Sequence, residues 1–420
     1  MWIKNIVKKI LNSKLFVRLG ISLINYDLLK YLRHYSWLLS FRKIPTLTIF
    51  FNSVRRVTEE DIEICRRLIV SYRKACAGIF EIKNTSRLWS EAMKKHCGLL
   101  ISKLESGDEK ALAEILSHMF REDFVYGLAS GSLINNARSC LGRKIWSMKY
   151  QDNIVSLGEY LGVSRAESPE QGLKAYALKE GLDVLIEKIE VQIGKSVGFP
   201  DIGAPYGIKI KDTLLTMEHP EHLYVALRLS RAVNCLLKDK INKPLNLVEI
   251  GAGYGGLAYC IRKLDIINIS SYTIVDLPLI NVLQGYFLMK AFGSPAVNLY
   301  GEPVSSNAVL SIIPNLVYEK EIKNQVDVLI NENSMPEMSD EIVKNYMEFA
   351  KRQVSGLFFS YNHEAYSVVY GKPQVLVPEI INQVGGFVRL SRNPSWVRNG
   401  YVEEIYGADQ SPLMQGKRER

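Results

Sequence analysis

The sequence predicts an α/β chain: an open, doubly wound sheet at the C-terminal end, preceded by a mainly helical N-terminal region. Three observations carry this. From 246 onward, short apolar runs with strand signals alternate with stretches of helical period. A glycine-rich turn, Gly251-Ala-Gly-Tyr-Gly-Gly256, sits where the first of those runs gives way to a helix. Residues 58–195, by contrast, carry helical periodicity and few strand signals.

Composition narrows the class. The chain has 420 residues, enough for two or three domains and a large core. Its 47% hydrophobic and 23% charged residues are ordinary for a folded globular protein and exclude disordered or collagenous classes. No charge-free apolar run approaches the roughly 18–20 residues that a spanning helix needs. The six cysteines (65, 76, 97, 140, 235, 260) stand singly, without CxxC, which argues against a zinc site or a secreted disulfide framework and fits a cytoplasmic setting. The net charge of +9 is local: residues 1–56 hold eleven Lys/Arg and one acid, Asp27. The body is therefore neutral, and a nucleic-acid partner is not implied.

Along the chain, residues 1–19 read as a basic amphipathic helix, with Ile3, Ile6, Val7, Ile10, Leu11 and Leu15 at helical spacing and Lys4, Lys8 and Lys9 opposite. A second apolar stretch covers 21–39. Two readings stay open for the segment 1–56: a helix on an anionic membrane face or against glycan assembly enzymes, and an arm packed on its own protein. A helical domain is expected over 57–195, opening at Thr58-Glu-Glu-Asp61 with acids in its first turn. Patterns at 59–77, 87–104, 108–120 and 169–194 have helical period. Gly198-Phe-Pro-Asp-Ile-Gly-Ala-Pro-Tyr-Gly207 reads as a linker or substrate loop within 196–245, followed by a helix from about 221 to 237.

The sheet region spans 246–410, with a basic tail at 411–420. Strands are expected at 246–250, 271–275, 297–300, 326–330 and 356–360, and a closing strand pair at 387–391 and 402–406. Helices are expected at 254–264, 279–291, 339–352 and 378–384.

The glycine loop is the most informative segment. Glycines at a strand–helix turn let the backbone turn tightly and a ligand approach closely. Asp276 ends the next strand, twenty residues after Gly256. An ionised carboxylate there accepts from both hydroxyls of a ribose, which suits NAD and S-adenosylmethionine alike. Glu249 discriminates. An acid just before the first glycine repels a pyrophosphate and attracts the cationic sulfonium and ammonium groups of S-adenosylmethionine. The cofactor-binding candidates are Glu249, Gly251, Ala252, Gly253, Gly255, Asp276 and Leu277.

The loop VEIGAGYGGLA, the segment YTIVDLPL and the segment VDVLINENSMPEM together resemble the sugar O-methyltransferase family of bacterial surface-polysaccharide clusters. The resemblance covers roughly 196–410 and extends less specifically to the region of Leu161-Gly-Val-Ser-Arg165. It implies a class I Rossmann-like, seven-stranded methyltransferase sheet, S-adenosylmethionine as donor and a sugar hydroxyl as acceptor. It maps Glu249, Gly251, Gly253 and Asp276 to cofactor-binding positions and carries over no acceptor.

Ligands of open α/β sheets bind beyond the carboxyl ends of the strands. Asn331-Glu-Asn-Ser-Met-Pro-Glu337 follows one strand and supplies Asn331, Glu332 and Glu337 as candidates to bind a sugar or take its proton. Ser360-Tyr-Asn-His-Glu364 follows the next, and His363 titrates in the range a base needs. His219 and His222 before the sheet are the next candidates. Acids and histidines of these loops are also of the type that holds Mg²⁺, but their spacing does not establish a divalent-metal site. Two alternatives remain: an NAD-dependent oxidoreductase or epimerase on a nucleotide sugar, and an inactive methyltransferase fold serving as a scaffold in glycan assembly.

Overall fold

The computed structural model describes residues 49–51, 56–77, 86–129, 140–166, 180–240, 243–365, 368–369 and 372–409. The basic helix expected over 1–19, the apolar stretch at 21–39 and the tail 411–420 lie outside them. The described residues fall into two compact units, one drawn from 1–54, 120–224 and 396–399, the other from 55–119, 225–395 and 400–420. The helices expected to form one domain over 57–195 are thus divided. Helix α1 (Glu59–Cys76) and the helices Arg87–His96, Gly98–Ser106 and Glu109–Leu116 belong with the sheet.

The first unit contains helices α2 (Cys140–Tyr160) and α3 (Leu182–Ile193), which pack together: a Cβ on Gly158 would stand 2.7 Å from Leu185 Cδ1. It also contains a small antiparallel sheet. Tyr206–Ile210 and Thr213–Leu215 form a hairpin, and Ile49–Phe51 pairs with the first of them. Part of the expected loop over 196–218 is therefore strand. Its two-residue turn, Lys211-Asp212, lacks the Asn-Gly or Asp-Gly signature that marks a hairpin in sequence, although Lys211 does take a positive φ of 52°. Strand Ile49–Phe51 also shows that the segment 1–56 is not wholly a detachable arm.

In the second unit, helix α4 (His219–Leu236), whose first turn belongs to the first unit, leads into strand β1 (Leu245–Ile250). Helix α5 (Gly256–Leu264), β2 (Ile269–Asp276), α6 (Pro278–Phe292), β3 (Val297–Leu299), β4 (Leu310–Pro314) and β5 (Val326–Glu332) follow. The unit ends with α7 (Asp340–Gln353), β6 (Val354–His363), α8 (Val377–Val384), β7 (Phe387–Pro394) and β8 (Tyr401–Ala408). The strand order is β7-β8-β6-β5-β1-β2-β4-β3. Every neighbouring pair is parallel except the two that β8 makes, with β6 and with β7. This is a doubly wound α/β sheet. It has one strand more than seven, because the short β3 adds an edge beyond β4.

The order reverses at β1, which has β2 on one side and β5 on the other. A crevice opens at such a reversal, beyond the strands' carboxyl ends. One face of the sheet near it is filled by Val248, Ile250, Leu329 and Phe358, packed with Val343, Met347 and Ile381 of α7 and α8. Burying such side chains is the main favourable term in folding, at roughly 25 cal/mol per Å².

Helix α1 is tied to α6 by named contacts. Thr58 caps it in a reciprocal box with Asp61. Asp61 then accepts from Tyr286 Oη at 3.1 Å and lies 3.0 Å from Lys290 Nζ. Arg67 pairs with Glu302 at 2.7 Å and donates to the carbonyls of Ser294 and Val297. Gly285 permits the close approach, since a Cβ there would stand 2.5 Å from Leu68.

Candidate functional site

The turn after β1 takes a conformation that only glycine adopts freely. Gly251, Gly253 and Gly255 have φ of 73°, 56° and 93°. Gly251 donates to Val275 O at 2.9 Å, which holds the turn against the end of β2. A Cβ on Gly251 would lie 2.1 Å from Ser334 Oγ, so the loop after β5 rests directly on the glycine loop. Ala252 is buried between the glycines.

Asp276 ends β2 beside this turn. Its Oδ1 accepts from the Leu277 amide at 2.8 Å and its Oδ2 from Gln284 Nε2 at 2.7 Å. Burial pushes the carboxyl up to about 7, against the lowering pull of Leu277, Gln284 and the Ala252 and Gly253 amides. Gln284 also donates to Gly253 O at 2.9 Å, so one α6 side chain locks Asp276 to the glycine loop. Leu277 precedes Pro278 at the start of α6, where a proline's missing N–H costs nothing. Glu249 is buried in β1 and accepts from Tyr272 Oη at 2.8 Å.

Across the crevice, Asn331 and Asn362 form a bridge at the ends of β5 and β6. Asn331 Nδ2 donates to Ile250 O at 2.8 Å and to Ser334 Oγ at 2.6 Å. Asn362 Nδ2 donates to Asn331 Oδ1 at 2.9 Å. Asn331 is fully buried, so it positions the glycine loop rather than meeting a substrate. Asn333 follows with a φ of 60°, a left-handed conformation that asparagine tolerates better than most residues. Glu332 is buried at the end of β5. Glu337 is half-buried, and its Oε2 accepts from Trp89 Nε1 at 3.1 Å.

His363 ends β6, edge-on to Tyr401 with ring centres 5.5 Å apart. Its Nδ1 accepts from the Ala365 amide at 3.2 Å. In the neutral ring that contact places the proton on Nε2. Glu364 pairs with Arg392, whose guanidinium holds the carboxyl below its usual range.

The remaining histidine candidates belong to the other unit. His219 is fully buried; its Nε2 lies 2.7 Å from Val197 O and its ring is edge-on to Phe199. That is a structural anchor. His222, one turn along α4, is half-buried. Among the described residues, no three His, Cys, Asp or Glu side chains gather to hold a metal ion.

The structure therefore joins Glu249, Gly251, Ala252, Gly253, Gly255, Asp276, Leu277, Asn331, Glu332 and Glu337 in or around one crevice, with His363 at the neighbouring strand end. Sequence reading missed Gln284 and Trp89, and it covered Ser334 and Asn362 only as members of the stretches after the two strands, without a role for either. None has a motif of its own; only the three-dimensional pairing reveals them.

No family model matches the chain, and no curated protein matches it. Several solved structures do. One is magnesium protoporphyrin IX methyltransferase from Synechocystis PCC 6803 with bound SAH, 11% identical over 45% of this chain and 84% of that one, TM-score 0.32. Another is mitomycin 7-O-methyltransferase, 12% identical over 82% of this chain and 94% of that one, TM-score 0.35. A third is a cyclopropane-fatty-acyl-phospholipid synthase-like protein from Lactobacillus casei ATCC 334, 10% identical over 46% and 94%, TM-score 0.30. The strand order and the crevice carry the functional reading that follows.

Proposed function

We propose that the chain is an S-adenosylmethionine-dependent O-methyltransferase that methylates a sugar hydroxyl of a surface glycan or its precursor. The observation that carries the cofactor is the glycine cradle at the sheet's reversal point, flanked by the strand-end carboxylate of Asp276 and underlain by Glu249. Carboxylates at both places suit a cationic ligand with a ribose diol and disfavour a pyrophosphate. S-adenosylmethionine, when bound, supplies an electrophilic methyl group. Asp276 holds the ribose hydroxyls, and the glycine loop lets the cofactor lie against the backbone.

The acceptor hydroxyl needs its proton taken as it attacks. Glu337 is the group we assign to this. It is a half-buried carboxylate fixed by Trp89 on the loop that lies over Gly251. His363, at the end of the neighbouring strand β6, is the second candidate for this step. Orientation of the two reactants supplies most of the acceleration for a direct transfer of this kind. The sugar acceptor and the glycan setting rest on the resemblance of the three motif segments.

Calorimetry with S-adenosylmethionine and with NAD tests the cofactor. Micromolar binding of the first and none of the second is expected; the reverse overturns the reading. Transfer of labelled methyl from S-adenosylmethionine to a glycan extract tests the acceptor class.

A further inference from the structure

Helix α6 buries an amide among residues that otherwise have none. Its buried residues from Leu279 to Met289 are apolar, aromatic or glycine, except Gln284, which is fully buried. Burying an amide costs free energy unless its groups find partners. Gln284 has three. Its Nε2 donates to Asp276 Oδ2 at 2.7 Å and to Gly253 O at 2.9 Å, and its Oε1 accepts from Asn281 Nδ2 at 2.9 Å.

Asn281 and Gln284 are three residues apart and so share a face of the helix. That pairing decides which way the Gln284 amide points. The two groups beyond its tip, a carbonyl and an ionised carboxylate, only accept, so its NH2 end must meet them. Asn281 supplies the donor that the oxygen end needs. Among the described residues, Asn281 Oδ1 has no hydrogen-bond partner, and the bond to Gln284 is the polar contact of the side chain.

Against burial, the main groups that favour the ionised form of Asp276 are neutral amides: Leu277, Gln284, Ala252 and Gly253. Gln284 is the side chain among them; the others are backbone and survive any substitution. Tyr346 of α7 also lies within electrostatic reach of Asp276, and burial, Tyr318 and Asp276 together hold its phenol neutral.

We propose that Gln284, turned by Asn281, is the positioning residue that sets Asp276 and the glycine loop in place for the cofactor. One planar group ties the two elements together, so their spacing is fixed before the ligand arrives. The proposal rests on the methyltransferase reading for the identity of the ligand alone; the hydrogen bonds belong to this chain.

The test compares the full-length protein with Gln284→Met and Asn281→Ala. Calorimetry with S-adenosylmethionine at pH 7 and pH 9 reads affinity, and thermal melts from pH 4 to 9 read the titration without a ligand. Gln284→Met fills similar space without a donor. From a titration near 7, loss of that donor moves Asp276 up by about one pH unit. The ionised fraction then falls about fivefold at pH 7 and hardly changes at pH 9. The loss of affinity relative to the unaltered protein is therefore about fivefold larger at pH 7 than at pH 9. Titration of the cofactor's own α-amino group cancels in that ratio. Asn281→Ala gives a ratio of about two, because the amide keeps its donors and loses its orientation. In the melts, a carboxyl raised above its unfolded value makes Tm fall as pH rises, and in Gln284→Met that fall continues about one pH unit further. An equal loss of affinity at both pH values in Gln284→Met marks a packing role and overturns the proposal; the same result in Asn281→Ala overturns the part given to Asn281. If the unaltered protein binds no S-adenosylmethionine, the methyltransferase reading fails, and the melts decide this proposal by themselves: a fall of Tm over an unchanged window in Gln284→Met overturns it.

Discussion

Asp276 makes cofactor affinity depend on pH in a direction the structure fixes. Its carboxyl titrates near 7 because burial opposes its ionisation more than the surrounding donors favour it. Only the ionised form accepts from both ribose hydroxyls. Apparent affinity then follows the competent fraction. With a pKa of about 7, about a tenth of the protein is ionised at pH 6 and about nine-tenths at pH 8, so affinity rises roughly ninefold between them. Asp276→Asn keeps the shape, loses the charge and flattens this dependence, with affinity at pH 8 lower by about 2 kcal/mol. The variant also separates Asp276 from the cofactor's own α-amino group, which titrates nearby. Stability moves the opposite way. The folded carboxyl holds its proton more tightly than the unfolded one, whose ordinary value is 3.8. The native state thus binds more protons between about pH 4 and 7, and stability falls as pH rises through that window. The assay is calorimetry from pH 6 to 8 with thermal melts alongside. An affinity flat across that range, or an equal slope in the Asn variant, would refute the assignment.

Four further outcomes are expected. Gly251→Ala puts a Cβ 2.1 Å from Ser334 Oγ at a φ of 73°; it should abolish cofactor binding in calorimetry and cost about 2–3 kcal/mol in denaturant melts. Glu337→Gln should slow single-turnover methyl transfer about 10²-fold with unchanged cofactor affinity; if it does not, Glu332 becomes the base to test. Arg228→Ala strands the fully buried Glu403, which Arg228 grips with two nitrogens at 2.6 and 2.5 Å; a loss of about 3–5 kcal/mol is expected, largely recovered when Glu403→Leu is added to Arg228→Met. Removal of residues 1–45, which spares the Ile49–Phe51 strand, should leave the fold and cofactor affinity intact and abolish salt-sensitive binding to anionic vesicles; vesicle binding that persists would place the contact elsewhere.

The sheet was legible because its signals are local. Strands β1, β2, β5, β6, β7 and β8 each show as a run of β-branched or aromatic residues, and each expected span overlaps the observed one. β4 escaped. Its apolar run ends in Pro314, within an uncharged stretch rich in Ser, Asn and Pro that reads as loop. The division into units escaped for a different reason. Nothing in the period of α1 says which neighbour it will choose; that is settled by Arg67, Asp61 and Gly285, through contacts more than two hundred residues apart in sequence.

The site divides the same way. Its cofactor half was legible because one short segment must do several things at once: turn, approach a ligand and open a helix. Glycine spacing records that demand directly. Its acceptor half was legible only as residue types. Asn331, Glu332, Glu337 and His363 are equivalent candidates in sequence, since each is a polar group after a strand. Hydrogen bonds separate them: Asn331 is consumed in bridging Ile250 O, Ser334 and Asn362, and His363 spends its Nδ1 on Ala365 N. Glu337 is a half-buried carboxylate that accepts from the Trp89 indole. A general base has to be held in place, and the Trp89 indole does that for Glu337 on the loop that rests on Gly251.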